Sequence, residues 1–205
     1  MTSSNRMPLL FSLAGLVLIA LALSGIAPYD RMTWWLEVSP VLIAMPVLVA
    51  TYRRFPLTTL LYVLIALHAL VLVYGGAYTY ARVPLGFWIQ DGFDLARNPY
   101  DKIGHFMQGF VPVLIAREIL LRGGFLSSRA MTAFLSVCIA LAISAFYELI
   151  EWWTALAFGQ GAYEFLGTQG DPWDTQADMM WALIGALCAL LSLTRVQDRQ
   201  IDRLR

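Results

Sequence analysis

Residues 57–78 read LTTLLYVLIALHALVLVYGGAY, a run of 22 residues that contains no Asp, Glu, Lys or Arg. A transmembrane helix needs about 20 mostly apolar residues to cross the hydrocarbon core of a bilayer. The run is longer than a helix in the core of a soluble domain requires. It therefore predicts that the chain crosses a membrane here.

Five further apolar runs lie before and after this one. The six predicted spans are residues 7–26, 34–52, 57–78, 103–121, 131–153 and 177–193. The first run also suits a signal peptide, but it exceeds the usual apolar core of about 7–15 residues. Pro28 also follows Ala27 at the point where a cleaved bond would fall. We therefore expect the first run to remain as a helix.

The composition agrees with a membrane protein. Hydrophobic residues make up 59% of the 205 residues and charged residues 14%, against about 45–50% and about 25% in soluble domains. We expect an all-α polytopic fold in which residues 1–205 form a single integral membrane domain. The formal net charge of zero gives no indication of nucleic-acid binding. The expected partner is the lipid bilayer.

The distribution of arginine and lysine predicts the orientation, because short cytoplasmic loops are enriched in them. With both termini inside, the inner segments hold nine arginines and the outer loops hold three arginines and Lys102. The even number of spans places the two termini on the same side. We therefore expect both termini in the cytoplasm and the long loops 79–102 and 155–176 outside, where loops of this length are usually functional.

Acidic residues and a histidine reach the same outer level in three spans. His105 lies near the start of the fourth span, Glu148 and Glu151 near the end of the fifth, and Asp174 and Asp178 near the start of the sixth. Carboxylates this close cannot all remain ionised in a low-dielectric site without compensation. Three arrangements remain open: a bound metal ion, shared protons, or pairing with arginine and backbone donors.

A divalent metal ion of unknown identity is the sharpest of these interpretations. Carboxylate ligands suit magnesium, calcium or manganese, and a histidine together with carboxylates also admits zinc or iron. We expect His105, Glu148 and Asp178 to be metal ligands, with Glu151 or Asp174 as the general base that activates a water molecule. The alternative for Asp171 is a capping role at the helix start, and for His68 a hydrogen bond between helices. Arg117 and Glu118 are expected to reach the membrane interface.

Three motifs carry a family resemblance: YDKIGHFMQGF from Tyr100, FYELIEWW from Phe146 and GTQGDPWDTQADMMWALIGAL from Gly167. In this order they resemble the YjdF-like family of bacterial inner-membrane proteins. The resemblance implies an inner-membrane location and supplies no reaction. A more distant similarity to VanZ-like membrane proteins would place Asp101, Lys102 and His105 in an Asp-Lys-x-x-His motif.

Three functions are compatible with these observations. The first is an intramembrane metal-dependent enzyme that hydrolyses, or transfers a group from, a lipid or lipid-linked envelope substrate at the outer leaflet. The second is an ion- or proton-coupled transporter that uses the same carboxylates. The third is a structural or regulatory membrane protein in which the polar cluster only connects helices. The absence of an internal repeat, and a cluster near one surface rather than the midplane, weaken the transporter hypothesis.

Overall fold

The chain folds into helices in a computed structural model that describes residues 3–159 and 163–204. In chain order the helices are α1 (Ser3–Ser24), α2 (Arg31–Thr51), α3 (Thr59–Tyr78), α4 (Pro84–Phe93), α5 (Tyr100–Arg122), α6 (Arg129–Phe158), α7 (Tyr163–Leu166) and α8 (Asp174–Ile201). A 3-10 turn at Tyr80–Arg82 precedes α4. No strand occurs in the described ranges.

Six of these helices are long and apolar enough to cross a membrane: α1, α2, α3, α5, α6 and α8. The predicted all-α, six-span fold is therefore confirmed. The main differences are at the helix ends. Helix α8 continues to Ile201, eight residues beyond the predicted end, because polar Gln197 is fully buried and donates a hydrogen bond to the Leu114 carbonyl at 2.7 Å.

Helices α5 and α8 form the closest pair of the bundle. A Cβ on Gly109 of α5 would overlap the Ala182 carbonyl, and one on Gly185 of α8 would overlap the Phe106 carbonyl. Ala182, Ala186 and Ala189 complete a fully buried small-residue surface on α8. Small residues allow transmembrane backbones to approach closely and gain dispersion contacts. This contact fixes the lateral position of α8 beside α5.

We call the end of the bundle that carries both termini the termini face, and the end that carries α4 and α7 the loop face. At the termini face Arg117 and Glu118 are buried, with 4% and 0% exposure. Arg117 pairs with Asp198 at 2.7 Å, and Glu118 accepts hydrogen bonds from the backbone and hydroxyl of Thr58 at 2.9 and 2.7 Å. The expectation that both reach the interface is therefore wrong, because partners on α8 and at the start of α3 hold them inside.

The orientation of the bundle stays a prediction, with the termini face in the cytoplasm. Cysteines placed in the loop face, for example at Gly170, should react with a membrane-impermeant maleimide added from the periplasmic side. A reporter fused after Arg205, which lies outside the described residues, should be active only in the cytoplasm. Labelling of position 170 from the cytoplasm alone would contradict this orientation.

Candidate metal centre

His105 is the central residue of a polar cluster at the loop-face end of α5. Its side chain is 7% exposed, and its Nε2 lies 3.3 Å from Oδ1 of Asp101, one helical turn earlier. Residues four apart on a helix lie on the same face. The DKIGH segment therefore presents one carboxylate and one imidazole together on the side of α5 that faces the bundle.

Helices α6 and α8 each add a carboxylate. Oε1 of Glu148 lies 3.9 Å from Nδ1 of His105, and Oδ2 of Asp178 lies 3.9 Å from Nε2. The side chains of Glu148 and Asp178 are 8% and 3% exposed. The structure thus brings together the three residues that the sequence predicts as metal ligands, because helices α5, α6 and α8 place them at one depth.

The cluster contains buried oxygens without hydrogen-bond partners among the described residues. They are Oε1 of Glu148 and Oδ1 of Asp178. A buried carboxylate oxygen without a donor loses the hydration it had in water, which costs several kcal/mol for a charged group. Such oxygens are available to a cation.

The imidazole of His105 divides the possible ligands into two sets that could each hold a metal ion. One set is Asp101, His105 and Asp178; the other is His105, Glu148 and Glu151; within each set the ligand atoms lie within 4.8 Å of one another. Oε1 of Gln108 lies 3.0 Å from Nδ1 of His105. If Nδ1–H donates to this oxygen, Nε2 keeps its lone pair for a metal, the usual arrangement of a metal-bound histidine. The geometry therefore favours the set on the Nε2 side.

Asp174, the other predicted base, lies in a different environment. Its Oδ1 is 2.5 Å from Nη1 of Arg97, whose Nη2 is 3.2 Å from Asp171 and whose Nη1 donates to the Thr168 carbonyl at 2.8 Å. Burial alone lowers the pKa of Arg97, but the hydrogen bond and charge of Asp174 and the charge of Asp171 raise it above its ordinary value. Arg97 and Asp174 thus form an ion pair beside the central cluster, so Asp174 already has a cationic partner.

The segments before α5 and α8 are joined at the same place. Gln169 donates to the Asn98 carbonyl at 3.0 Å and accepts from the Asn98 backbone N–H at 3.2 Å. Asp171 accepts from the Trp173 N–H at 2.9 Å, so it has the local capping role expected for it as well as its contact with Arg97. These contacts hold the starts of α5 and α8 side by side, where Asp101 and Asp178 lie.

Substitution of Arg97 by Gln is expected to lower the free energy of unfolding by about 2 kcal/mol, between the effects for exposed and fully buried pairs. Arg97 is partly buried, and its removal leaves the charge of Asp174 uncompensated. Thermal unfolding in detergent measures the change. Arg129→Gln is the matched control, since Arg129 pairs with Asp198 at 2.8 Å but is 75% exposed. The control should cost less than about 1 kcal/mol. Equal losses in the two variants would contradict the structural role of Arg97.

A cavity of about 190 Å³ extends from the cluster into the bundle. Its lining includes Asp101, His105 and Glu151, and also three polar residues that the sequence analysis did not assign to the site: Glu37, His68 and Tyr147. The Tyr147 hydroxyl donates to Oε2 of Glu37 at 3.2 Å. The sequence does contain an indication that Glu37 belongs to the site, since Glu37 is the only acidic residue within the predicted span 34–52. An ionisable residue inside a span indicates function by default.

Comparisons with known proteins agree with the family resemblance. A family model described as "Predicted membrane protein (DUF2238)" matches residues 9–199. The chain is 58% identical over 197 residues to "Inner membrane protein YjdF" of Escherichia coli strain K12, which covers 96% of this chain and 94% of that protein. No solved structure matches. The similarity to VanZ-like proteins stays a prediction.

Proposed function

Because this chain belongs to the DUF2238 family of predicted membrane proteins, we propose that its polar cluster lies in a membrane and binds a divalent metal ion. The ion would serve to hydrolyse a membrane lipid or lipid-linked substrate. The observation that carries the proposal is the set Asp101, His105 and Asp178, whose ligand atoms lie within 4.8 Å of one another. One oxygen of Asp178 in this set is buried and has no hydrogen-bond partner among the residues that the structure describes.

Asp101, His105 and Asp178 would hold the ion through two carboxylates and Nε2 of the imidazole. This donor set suits manganese, zinc, iron or magnesium. Three protein ligands leave coordination positions for water and substrate, and a bound water molecule becomes acidic enough to act as a nucleophile near neutral pH. Gln108 would orient the imidazole through Nδ1.

Glu151 is the residue best placed to accept the proton of the attacking water. It lines the cavity together with Asp101 and His105, and its carboxylate lies within 4.8 Å of ligand atoms of His105 and Glu148. Glu148, 3.9 Å from Nδ1 of His105, would keep the imidazole in place. Asp174 is less suited to this role, since Arg97 already engages its carboxylate at 2.5 Å.

The size of the cavity limits what can react there. A volume of about 190 Å³ is below the roughly 300–1,000 Å³ of typical small-molecule sites. Only the reacting group of a lipid would fit, while its apolar part remains outside. Among the described residues that line the cavity, none is Lys or Arg. An anionic group would therefore depend on the metal ion for charge compensation.

Incorporation of oxygen from labelled water tests the proposed hydrolysis. The full-length protein, reconstituted with manganese in vesicles of total Escherichia coli lipid and H₂¹⁸O, should produce lipid products that carry ¹⁸O, as detected by mass spectrometry. Asp178→Asn should abolish the incorporation, whereas Asp91→Asn, an exposed change in α4, should not. Absence of ¹⁸O in the wild-type products, or equal incorporation with Asp178→Asn, would contradict the proposal.

The deeper part of the cavity favours a second candidate, an ion- or proton-coupled carrier. His68 and Glu37 extend the polar lining toward the middle of α3 and α2, and buried ionisable groups of this kind form proton pathways in membranes. A carrier would move protons or cations across vesicles in a manner abolished by Glu37→Gln. The hydrolase predicts no such flux.

A further inference from the structure

We infer that the cavity is entered sideways from the bilayer, through a seam between α2 and α6, and that its ligand is therefore a membrane-dissolved molecule whose apolar chain lies in the seam. This inference deepens the proposed function by assigning the route and class of the substrate. The seam is defined by Glu37 and Pro40 on α2 and by Ile143 and Tyr147 on α6, all of which line the cavity.

The first observation concerns the packing of α2. Among the described residues α2 packs against α3 and α7, and no extended contact joins it to α6. The hydrogen bond of 3.2 Å from Tyr147 to Glu37 crosses the gap six residues after the start of α2. Because polar contacts rather than interlocking side chains join the two helices here, they can separate at small cost in apolar packing.

The second observation concerns the wall of the cavity at Ile143. This side chain lines the cavity and is also 42% exposed on the outside of the bundle. At this point one side chain separates the cavity from the surface of a transmembrane helix. Ile143 precedes Glu148 by five residues, which places it about 7 Å closer to the middle of the membrane than the cluster.

The third observation concerns the loop face above the cavity. Tyr80 and Phe165 line the cavity and are 5% and 3% exposed. The Tyr80 ring packs so closely on α5 that a Cβ on Gly104 would lie 2.6 Å from its Cε1. Phe165 packs against the Tyr147 ring, with ring centroids 6.3 Å apart. Among the described residues, two buried aromatic rings thus cover the cavity on this side, while the seam contains the partly exposed aliphatic side chain of Ile143.

A lipid fits this arrangement because its two parts match the two environments. The reacting group would enter the polar cavity, and the hydrocarbon chain would remain in the seam among Pro40, Ile143 and the surrounding lipid. A water-soluble substrate would instead have to displace Tyr80 and Phe165. Entry through the seam therefore favours a lipid, whereas entry from the loop face would favour a water-soluble ligand.

Carbodiimide labelling of Glu37 tests the route without knowledge of the substrate. Dicyclohexylcarbodiimide dissolves in the bilayer, whereas a water-soluble carbodiimide reaches sites from the aqueous side. The carboxyl oxygen adds to the central carbon of the reagent and its proton goes to nitrogen. Rearrangement to the N-acylurea retains every atom, so the peptide gains the mass of one reagent molecule. The protein is labelled in vesicles of Escherichia coli lipid and mapped by peptide mass spectrometry.

The lipid-soluble reagent should label Glu37 faster than the water-soluble one. Ile143→Ala should accelerate this labelling several-fold and Ile143→Trp should slow it several-fold. Ile139→Trp is the matched control, because Ile139 lies one turn away on α6, is 38% exposed and does not line the cavity. The control should leave the rate unchanged, and thermal unfolding verifies that each variant is folded.

The lateral route would be wrong if the water-soluble reagent labelled Glu37 faster than the lipid-soluble one. It would also be wrong if the labelling rate did not depend on the size of residue 143. Metal content is measured on the same samples to keep the two proposals separate. If the labelling rate depends on residue 143 but the protein retains no metal, the lateral route is supported and the proposed hydrolase function is wrong. If the protein retains metal but the labelling rate does not depend on residue 143, only the lateral route through the seam is wrong.

Discussion

Manganese or zinc is expected to raise the melting temperature of the protein in detergent, and a chelator to lower it, because the ion binds the folded cluster and not the unfolded chain. At a metal concentration of about 1,000 times the dissociation constant, the free energy of unfolding should rise by about 4 kcal/mol. The physical cause is the removal of repulsion among buried carboxylates near His105. Two of them contain oxygens that lack a hydrogen-bond partner in the described part of the chain.

Variants of the cluster should abolish the stabilisation by metal. In the absence of metal, Asp178→Asn and Glu148→Gln remove a buried negative charge and should leave stability unchanged or raise it. In the presence of metal, Asp178→Asn and His105→Ala should lose the stabilisation seen in the wild type. Asp91→Asn, exposed on α4, should retain the full response. A response that survives both Asp178→Asn and His105→Ala would place the ion elsewhere.

Substitution of Gly109 by Ala is expected to reduce the free energy of unfolding by about 3 kcal/mol, at the upper end of overpacking effects. The added Cβ would overlap the Ala182 carbonyl, which belongs to the backbone of α8 and cannot rotate away. The helices must therefore separate. Because Gly109 lies one turn from His105 and Ala182 one turn from Asp178, the separation should also weaken the response to metal.

Gly15→Ala provides the matched control for this prediction. Gly15 is also inside a transmembrane helix, but a Cβ there meets nothing within 4 Å among the described atoms. Thermal unfolding should show no loss for this variant, and a small gain is expected from the higher helix propensity of alanine. Similar losses in the two variants would show that the loss at Gly109 does not come from the close α5–α8 contact.

The sequence predicted the number and approximate positions of the six apolar helices because hydrophobic length is a local property. The same reasoning placed His105, Glu148 and Asp178 at one level, and the structure brings them together. Depth does not specify which helices are neighbours or how each is rotated about its axis. The pairing of Glu37 with Tyr147, 110 residues apart, therefore could not be predicted from hydropathy.

Long-range ion pairs were equally inaccessible to sequence reasoning. Arg97 and Asp174 lie on segments that follow different spans, and only the folded loops bring them to 2.5 Å. The expected interfacial position of Arg117 failed for a related reason, since its partner Asp198 lies in a part of α8 beyond the predicted span. Polar residues that pair inside the bundle lengthen helices past the ends of their apolar runs.

Metal analysis of the purified full-length protein tests the central claim most directly. The protein in detergent is exposed to manganese or zinc, separated from unbound ion and measured by mass spectrometry of the metal. We expect one ion per chain in the wild type and in Asp91→Asn, and none in His105→Ala or Asp178→Asn. The metal centre would be contradicted if the wild-type protein retained no metal and its stability did not change with chelator. If its stability changed instead as the pH fell through the carboxylate range, shared protons would be indicated.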